Sequence, residues 1–313
     1  MIDFRYYLVS IVAIFFALAI GIVLGSGPLE GDINSVVQGT NDQLAAEKKA
    51  LQEEVVGLQD GLVASQDYAA GVQSLVVDGQ LNGQTAAVIV LPGASDGQVT
   101  DAVTAIEQSG ARVGSTVRLT DAWSDPDQQD VLRRVADALD KTPTSSVASE
   151  AAGGALAAAL VTSSPTTIAP GAGVRVDPQG VAVVSGLVEA GFLKVDDSKD
   201  LRKASVALVV APDDDPDQAK TQTYVPLIDA LDADGRGVVV GGGPKATLPG
   251  GTIEVVRNSA SADAVSTVDD LDLSMGPGTA LLALVQQLDG GVGQYGMHEG
   301  ADAVVPEQTP ASP

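Results

Sequence analysis

AAVIVLPG, residues 86–93, is an apolar run without polar alternation that ends in a Pro-Gly turn signal. Strands of this kind are buried on both faces of a sheet, which is typical of parallel sheets covered by helices. SVALVV at 205–210 and GVVV at 237–240 have the same form. Helical patterns lie between these runs, and alternating strands and helices predict parallel pairing through βαβ crossovers. We therefore predict an α/β fold, a three-layer domain with a mostly parallel sheet, over residues 84–299.

The remaining segments of this domain follow from local patterns. Apolar residues at helical spacing predict helices, and short apolar or β-branched runs predict strands. Helices are expected at 98–109, 127–140, 151–161, 225–231 and 279–288, and strands at 112–119 and 253–256. Thr267 to Asp272 form an acidic cluster, which we interpret as surface. Residues 300–313 contain Pro and Ala and are predicted to form a disordered tail.

An apolar segment near the N-terminus predicts a membrane anchor. Leu8 to Leu24 is apolar apart from Ser10 and Gly21, and it is long enough to span a hydrocarbon core. Arg5 precedes it, so the positive-inside rule places the N-terminus in the cytoplasm and the bulk of the chain outside. We predict a single-pass plasma-membrane anchor over residues 1–28. A cleaved signal peptide is the alternative, although no A-x-A-like site closes the run.

A heptad pattern follows the anchor and predicts a coiled-coil stalk over residues 29–76. Apolar residues recur every seven positions, and a second, partly polar set occupies the other core position. The first set is Val37, Leu44, Leu51 and Leu58, and the second is Asn41, Lys48, Val55 and Leu62. We expect a homodimer through this stalk. An amphipathic helix packed on its own domain is the alternative, and the glycines in the stalk lower the rigidity expected of it.

Composition excludes several classes of function. The net charge is -24, from 41 acidic and 17 basic residues, and such a polyanion repels nucleic acid. There is no cysteine and one histidine, His298, so thiol chemistry is excluded and a Ser-His-Asp triad would depend on that residue. We therefore predict that the protein is not an enzyme, and no cofactor is established.

Soft-metal ligands are scarce in this chain. Copper(I) prefers thiolate, thioether or imidazole ligands. Met297 and His298 form the one adjacent pair of such residues, and they are the candidate metal ligands. A pair of this kind completes a site only with ligands from a second copy or from a partner. The alternative is that the pair binds no ligand.

Three loops are expected at the carboxyl ends of the predicted parallel strands, where ligands of open α/β sheets bind. They are Pro92–Asp96, Pro212–Pro216 and Gly241–Pro244. Acidic and glycine-rich loops are able to hold a hard cation or a polar ligand. Solvated turns are the alternative, which Asp, Pro and Gly favour as the usual turn residues.

Both ends of the chain resemble one protein family. At the N-terminal end the similar segments are Ile2–Ser10 and Ala17–Gly27, and at the C-terminal end they are Ser266–Asp272, Gly276–Leu284 and Gly293–Gly296. They resemble the actinobacterial copper transporter MctB family, and the order of the parts is similar over most of the chain.

This resemblance implies a role in copper transport or efflux and in copper tolerance, with copper as the transported ion and an envelope or outer-membrane location. A related branch, the SteB-like proteins, implies an alternative. The protein would then be a non-catalytic dimeric scaffold acting in envelope assembly or division through a membrane partner. The resemblance brings no metal-ligand motif onto residues of this chain.

Overall fold

The computed structural model describes residues 4–25, 29–139, 145–164, 174–196 and 201–307. The chain divides into two units, residues 1–64 and 65–313. The first unit is helical, and the second holds the α/β domain. They are described separately below.

Helix α1 (Phe4–Gly25) is the predicted N-terminal apolar helix, and that prediction is confirmed. The stretch Tyr6–Gly25 has 20 residues, a mean hydropathy of 2.9 and no buried side chain. At about 1.5 Å per residue it matches the roughly 30 Å hydrocarbon core of a bilayer. Its apolar side chains point outward on all sides, as they do in a helix that meets lipid.

Helix α2 (Leu29–Val77) runs without interruption for 49 residues and covers the predicted stalk. Leu44, Leu51 and Leu58 are exposed, and so are the second-set residues Val55 and Leu62. The side chain of Val37 is not among those that the structure describes. A helix that forms a coiled coil has to be continuous and has to expose an apolar stripe, and α2 has both features. The pairing itself stays a prediction, because it requires a second chain.

The second unit is built on a seven-stranded sheet in the order β4-β2-β1-β6-β7-β8-β9. Pairing is parallel throughout, except that β4 runs antiparallel to β2. A separate antiparallel ribbon joins β3 to β5. The strands are β1 (Thr85–Val90), β2 (Arg112–Leu119), β3 (Val174–Arg175), β4 (Leu193–Val195), β5 (Arg202–Lys203), β6 (Val206–Val210), β7 (Val238–Gly241), β8 (Ser266–Val268) and β9 (Gln294–Tyr295). The predicted α/β fold with a mostly parallel sheet is confirmed.

Helices cover both faces of this sheet and complete three layers. They are α3 (Asp96–Gln108), α4 (Gln129–Leu139), α5 (Ala148–Leu160), α6 (Pro178–Glu189), α7 (Gln218–Asp234), α8 (Thr252–Arg257) and α9 (Gly276–Leu288). In β1, Ala87 and Ile89 face the core under α4 to α8, whereas Ala86, Val88 and Val90 face the core under α3 and α9. From Ala86 to Val90, β1 is therefore apolar at every position because it contributes to two cores.

Two predicted segments differ from the structure. Residues 253–256 were predicted as a strand but lie in α8, where Ile253 and Val256 are buried at helical spacing. The β-branched side chains gave a strand signal, but packing of one helical face against the sheet decides the structure. The strand in this part of the chain is β8, which overlaps the start of the acidic segment 267–272. We interpreted that segment as surface, which is wrong, because Thr267, Asp269 and Asp270 are fully buried.

Residues 300–307 fold back on β9, although the sequence predicted a disordered tail from residue 300. Gly296 N–H donates to the carbonyl of Ala303, and Asp302 N–H donates to the carbonyl of Gln294. Residues 308–313 of the predicted tail lie outside the described residues. The prediction of a disordered tail was based on amino-acid composition. Composition does not reveal backbone pairing of this kind.

Candidate functional site at the carboxyl edge of the sheet

The parallel strands end at one edge of the sheet, and the three predicted loops meet there. Asp213 N–H donates to the carbonyl of Gly93 at 3.0 Å, which joins the loop after β1 to the loop after β6. A Cβ built on Gly243 would lie 3.5 Å from Asp213 Oδ1, so the loop after β7 adjoins them. The predicted convergence of these loops is present in the structure.

Asp269 follows β8 at the same edge and is fully buried. Its Oδ1 accepts the backbone N–H groups of Met297 at 2.8 Å and His298 at 3.2 Å. Its Oδ2 lies 2.9 Å from Nη2 of Arg257 in an ion pair that is almost wholly buried. The guanidinium and the two N–H donors together fix the position of this carboxyl group.

Arg257 ends α8 and connects the strands around this carboxylate. Its Nε donates to Thr267 Oγ1 at 2.8 Å, and its Nη2 donates to the carbonyl of Tyr295 at 2.9 Å. Its Nη1 donates to the carbonyl of Glu299 at 3.1 Å. A planar guanidinium is suited to this task because its donors point in fixed directions. Arg257 therefore holds the loop after β9 in place.

Gly296 lets that loop wrap around Asp269. Its φ is +126°, and an added Cβ would lie 2.0 Å from Asp269 Oδ1. Any side chain here would displace the carboxylate or the loop. The glycine is what brings the next two N–H groups into hydrogen-bonding distance.

His298 is oriented by the same carboxylate. Its Nδ1 lies 2.9 Å from Asp269 Oδ1, which already accepts two backbone N–H groups. Because Oδ1 accepts from both backbone N–H groups, the tautomer with its hydrogen on Nδ1 adds a third donor to the same oxygen. In that tautomer the lone pair of Nε2 is free. Histidines that bind metals generally donate their second ring N–H to a carboxylate in this way.

The structure places both predicted metal ligands at this edge. The Met297 residue is 54% exposed, and the His298 side chain is 35% exposed. Sequence analysis identified this pair but missed Asp269 and Arg257, which orient it. The missed residues belong to distant segments, and His298 and Asp269 are 29 positions apart. Among the described residues, no three His, Asp or Glu side chains are arranged to hold a metal ion.

A second group of polar side chains lies at this edge, and we call it the edge cluster: Gln98, Asp213, Asp270 and Asp272. A Cβ built on Gly243 would lie 3.3 Å from Gln98 Nε2 and 3.4 Å from Asp272 Cγ, and close to Asp213 as described above. The charge of Asp272 acts on the carboxyl group of Asp270, so the two side chains are close in space. The cluster therefore joins the ends of β6 and β8 to the first turn of α3.

Asp270 and Gln98 are unusual because their side chains are buried while some of their oxygen atoms accept no hydrogen bond. Asp270 is fully buried, and neither of its carboxylate oxygens has a hydrogen-bond partner among the described residues. Burial, followed by the neighbouring charge of Asp269, raises the pKa of Asp270 to about 6. Burial also raises the pKa of Asp272, and the charge of Asp213 adds to this. Gln98 is 5% exposed, and its Oε1 has no described partner.

A small cavity lies beside these loops, between Pro92, Pro212 and the start of α8. Its volume is about 40 Å³, and Lys245 and Thr252 contribute to its wall. A water needs roughly 10–15 Å³ on this measure, so the cavity has room for a few waters. An organic ligand pocket generally needs about 300 Å³ or more, so this cavity does not form one.

One protein family matches nearly the whole chain. Its description is "Copper transport outer membrane protein, MctB", and its sequence model covers residues 1–306. The chain belongs to the MctB family. The resemblance predicted from the two ends of the sequence is confirmed. The MctB match includes the apolar helix, the long helix α2, Asp269 and the loop with Met297 and His298.

Curated relatives carry the same family name. "Copper transporter MctB" of Mycobacterium tuberculosis strain H37Rv is 28% identical over 318 residues, which are 98% of this chain and all of the relative. "Copper transporter MctB" of Mycobacterium leprae strain TN is 28% identical over 320 residues, with the same coverage. These MctB relatives are named as transporters and not as enzymes. The family description and the apolar helix α1 both fit association with a membrane.

Proposed function

We propose that this protein is a membrane-anchored envelope protein that acts in copper transport and copper tolerance, with Met297 and His298 as its copper contact. The observation that carries the proposal is the hydrogen bond from His298 Nδ1 to Asp269, which leaves Nε2 free to bind a metal. Membership of a family described by copper transport supplies the choice of metal.

The chemistry of the pair suits copper(I). A thioether and an imidazole are ligands that this ion prefers. Two ligands leave the coordination of the ion incomplete. The remaining ligands would come from a second copy or from a partner, and such a shared site suits transfer of the ion better than storage.

The proposal includes a topology. Helix α1 is an uncleaved anchor in the plasma membrane, the N-terminus with Arg5 is cytoplasmic, and the α/β domain is extracytoplasmic. The family description mentions an outer membrane, which leaves a position in an outer envelope layer open for this chain. A domain outside the membrane would receive copper after it has left the cytoplasm.

We also propose that α2 pairs with the same helix of a second copy. The exposed Leu44, Leu51 and Leu58 support this, because their heptad spacing forms one apolar stripe. The role is proposed as non-catalytic, since the MctB relatives are named as transporters. The scaffold alternative is not favoured, because the relatives are named copper transporters.

Copper binding by the purified full-length protein in detergent tests the proposed contact. A competition titration with a coloured copper(I) chelator would compare the wild type with Met297→Ala/His298→Ala. We expect the double variant to bind copper(I) at least about tenfold more weakly, because both soft ligands are lost. Glu299→Ala is the control, since only the backbone carbonyl of Glu299 contacts Arg257. Equal affinities for the wild type and the double variant would contradict the proposed contact.

A further inference from the structure

Met297 is the more exposed of the two methionines that the structure describes. The residue is 54% exposed, and it belongs to neither of the two hydrophobic cores. Met275, in contrast, is partly buried at the start of α9. The third methionine of the sequence, Met1, lies outside the described residues. Solutes therefore reach the thioether of Met297 more readily than that of Met275.

The backbone of Met297 is fixed, although its side chain is exposed. Its N–H donates to the buried carboxyl group of Asp269 at 2.8 Å, and the N–H of His298 donates to the same oxygen at 3.2 Å. Arg257 donates to backbone carbonyls on both sides of this pair. None of these contacts uses the thioether. A chemical change at the sulfur therefore leaves the loop and the orientation of His298 in place.

We propose that Met297 is a modification site, at which a peroxide converts the thioether to a sulfoxide and thereby weakens the proposed copper contact. The inference rests on the proposed function, because the effect on copper requires Met297 to bind the ion. Oxidation turns a flexible apolar side chain into a polar one, and methionine sulfoxide reductases reverse it. Because Met297 lies outside both cores, the change acts on the ligand and leaves the packing of the fold intact.

The oxidation step balances with hydrogen peroxide as the oxidant. A lone pair of Met297 Sδ attacks one oxygen of the peroxide, so that an S–O bond forms and the O–O bond breaks. The departing hydroxide takes up the proton of the transferred oxygen and leaves as water. The sulfur loses an electron pair and the peroxide gains it, so the step needs no further reactant.

The sulfoxide is a poorer ligand for copper(I) than the thioether. This ion prefers thioether, thiolate and imidazole ligands, whereas the sulfoxide presents a hard oxygen. His298 keeps its imidazole, so one of the two proposed ligands remains after oxidation. We therefore expect oxidation to weaken copper(I) binding without abolishing it. The oxidised protein would hold copper less tightly until a reductase restores the thioether.

The first measurement locates the oxidation in the copper-free, full-length protein in detergent. Met275 and Met297 both follow Arg257, the last basic residue, so trypsin releases them on one peptide. Fragment masses then assign the added oxygen to one methionine or the other. We expect hydrogen peroxide to oxidise Met297 at least about fivefold faster than Met275 in the folded protein, because oxidation follows exposure. In denaturant the two rates should become similar.

The second measurement compares copper(I) affinity before and after oxidation, by competition with a coloured chelator once the peroxide has been removed. We expect the affinity of the wild type to fall by at least about fivefold, since one of its two soft ligands is changed. Methionine sulfoxide reductase should restore it. Met275→Leu is the matched control and should respond to peroxide as the wild type does. Met297→Leu is unable to form the sulfoxide, so its affinity should not respond.

Several results would overturn the inference. Equal oxidation of Met275 and Met297 in the folded protein would remove Met297 as a selective site. A lower free energy of unfolding after peroxide treatment would mean that oxidation damages the fold. If Met297→Ala weakens copper(I) binding but the sulfoxide does not, the effect of oxidation on copper is wrong and the copper contact stands. If neither change affects copper(I) binding, the proposed copper contact fails and the inference fails with it.

Discussion

At the scale of single residues, the site depends on one buried carboxylate and the loop that wraps around it. Asp269 meets Arg257 on one oxygen and the N–H groups of Met297 and His298 on the other. Gly296 makes this approach sterically feasible. The orientation of His298 therefore depends on Gly296 and Met297 in its own loop and on Asp269 and Arg257 from other parts of the chain.

Gly296→Ala tests the tight approach at this point. The substitution combines an unfavourable positive φ with a Cβ 2.0 Å from Asp269 Oδ1. We expect a loss of about 2–4 kcal/mol in the free energy of unfolding, measured by denaturant unfolding. Gly290→Ala is the control, because Gly290 has a φ of +85° but no atom within 4 Å of the added Cβ. It should lose only about 1 kcal/mol. Similar losses in the two variants would contradict the steric account.

Asp270 gives a prediction about pH. Its pKa in the folded protein is about 6, above the value of 3.8 for an unperturbed carboxyl, because burial disfavours its charged form. The folded protein therefore binds this proton more tightly than the unfolded chain. The carboxyl costs no stability below pH 4 or so, and it costs progressively more as the pH rises through about 6.

Asp270→Asn should remove that cost. We expect the variant to be more stable than the wild type by about 1–2 kcal/mol at neutral pH and nearly equal to it at pH 4 or so. Unfolding by denaturant across this pH range would measure the difference. Asp101→Asn, at an exposed position on α3, is the control and should leave the profile unchanged. A variant less stable than the wild type at every pH would show that the Asp270 carboxylate stabilises the fold.

At the scale of elements, sequence patterns predicted the strands that are apolar at every position, such as β1, β6 and β7. Strand β8 was missed because Ser266 and Thr267 are polar and yet fully buried. Thr267 Oγ1 donates to Gln294 Oε1, and Ser266 Oγ accepts from Gln287 Nε2. These partners come from later elements, so hydropathy along the chain gives no sign of the burial.

The same limit applies to the candidate site. Met297 and His298 were found from residue type alone, since few soft ligands exist in the chain. The residues that orient them are Asp269 and Arg257. These two become neighbours only when β8, β9 and α8 pack together. The candidate ligands were visible in the sequence, whereas their geometry is a property of the fold.

Helix α2 carries a prediction at this scale. Leu51→Asp/Leu58→Asp places charge in the proposed seam and should shift the full-length protein in detergent from dimer towards monomer, because buried charge opposes the packing. Ala50→Asp/Val56→Asp adds the same charge outside the seam and is the control. Sedimentation equilibrium in density-matched detergent would measure the mass. A wild-type protein that is already monomeric would remove the proposed pairing.

At the scale of the whole molecule, the chain combines an apolar helix, a long helix and an acidic α/β domain with two polar sites at one sheet edge. The Met297–His298 pair offers soft ligands, and the edge cluster offers unsatisfied acceptors. The first site is the proposed copper contact.

Cellular copper tests the central claim most directly. Copper content and copper sensitivity would be measured in a strain lacking this protein, and again after complementation with the wild type, Met297→Ala/His298→Ala or Glu299→Ala. We predict raised copper and raised sensitivity in the deletion strain, rescue by the wild type and Glu299→Ala, and no rescue by the double variant at equal protein level. Normal copper content and normal tolerance in the deletion strain would contradict the account.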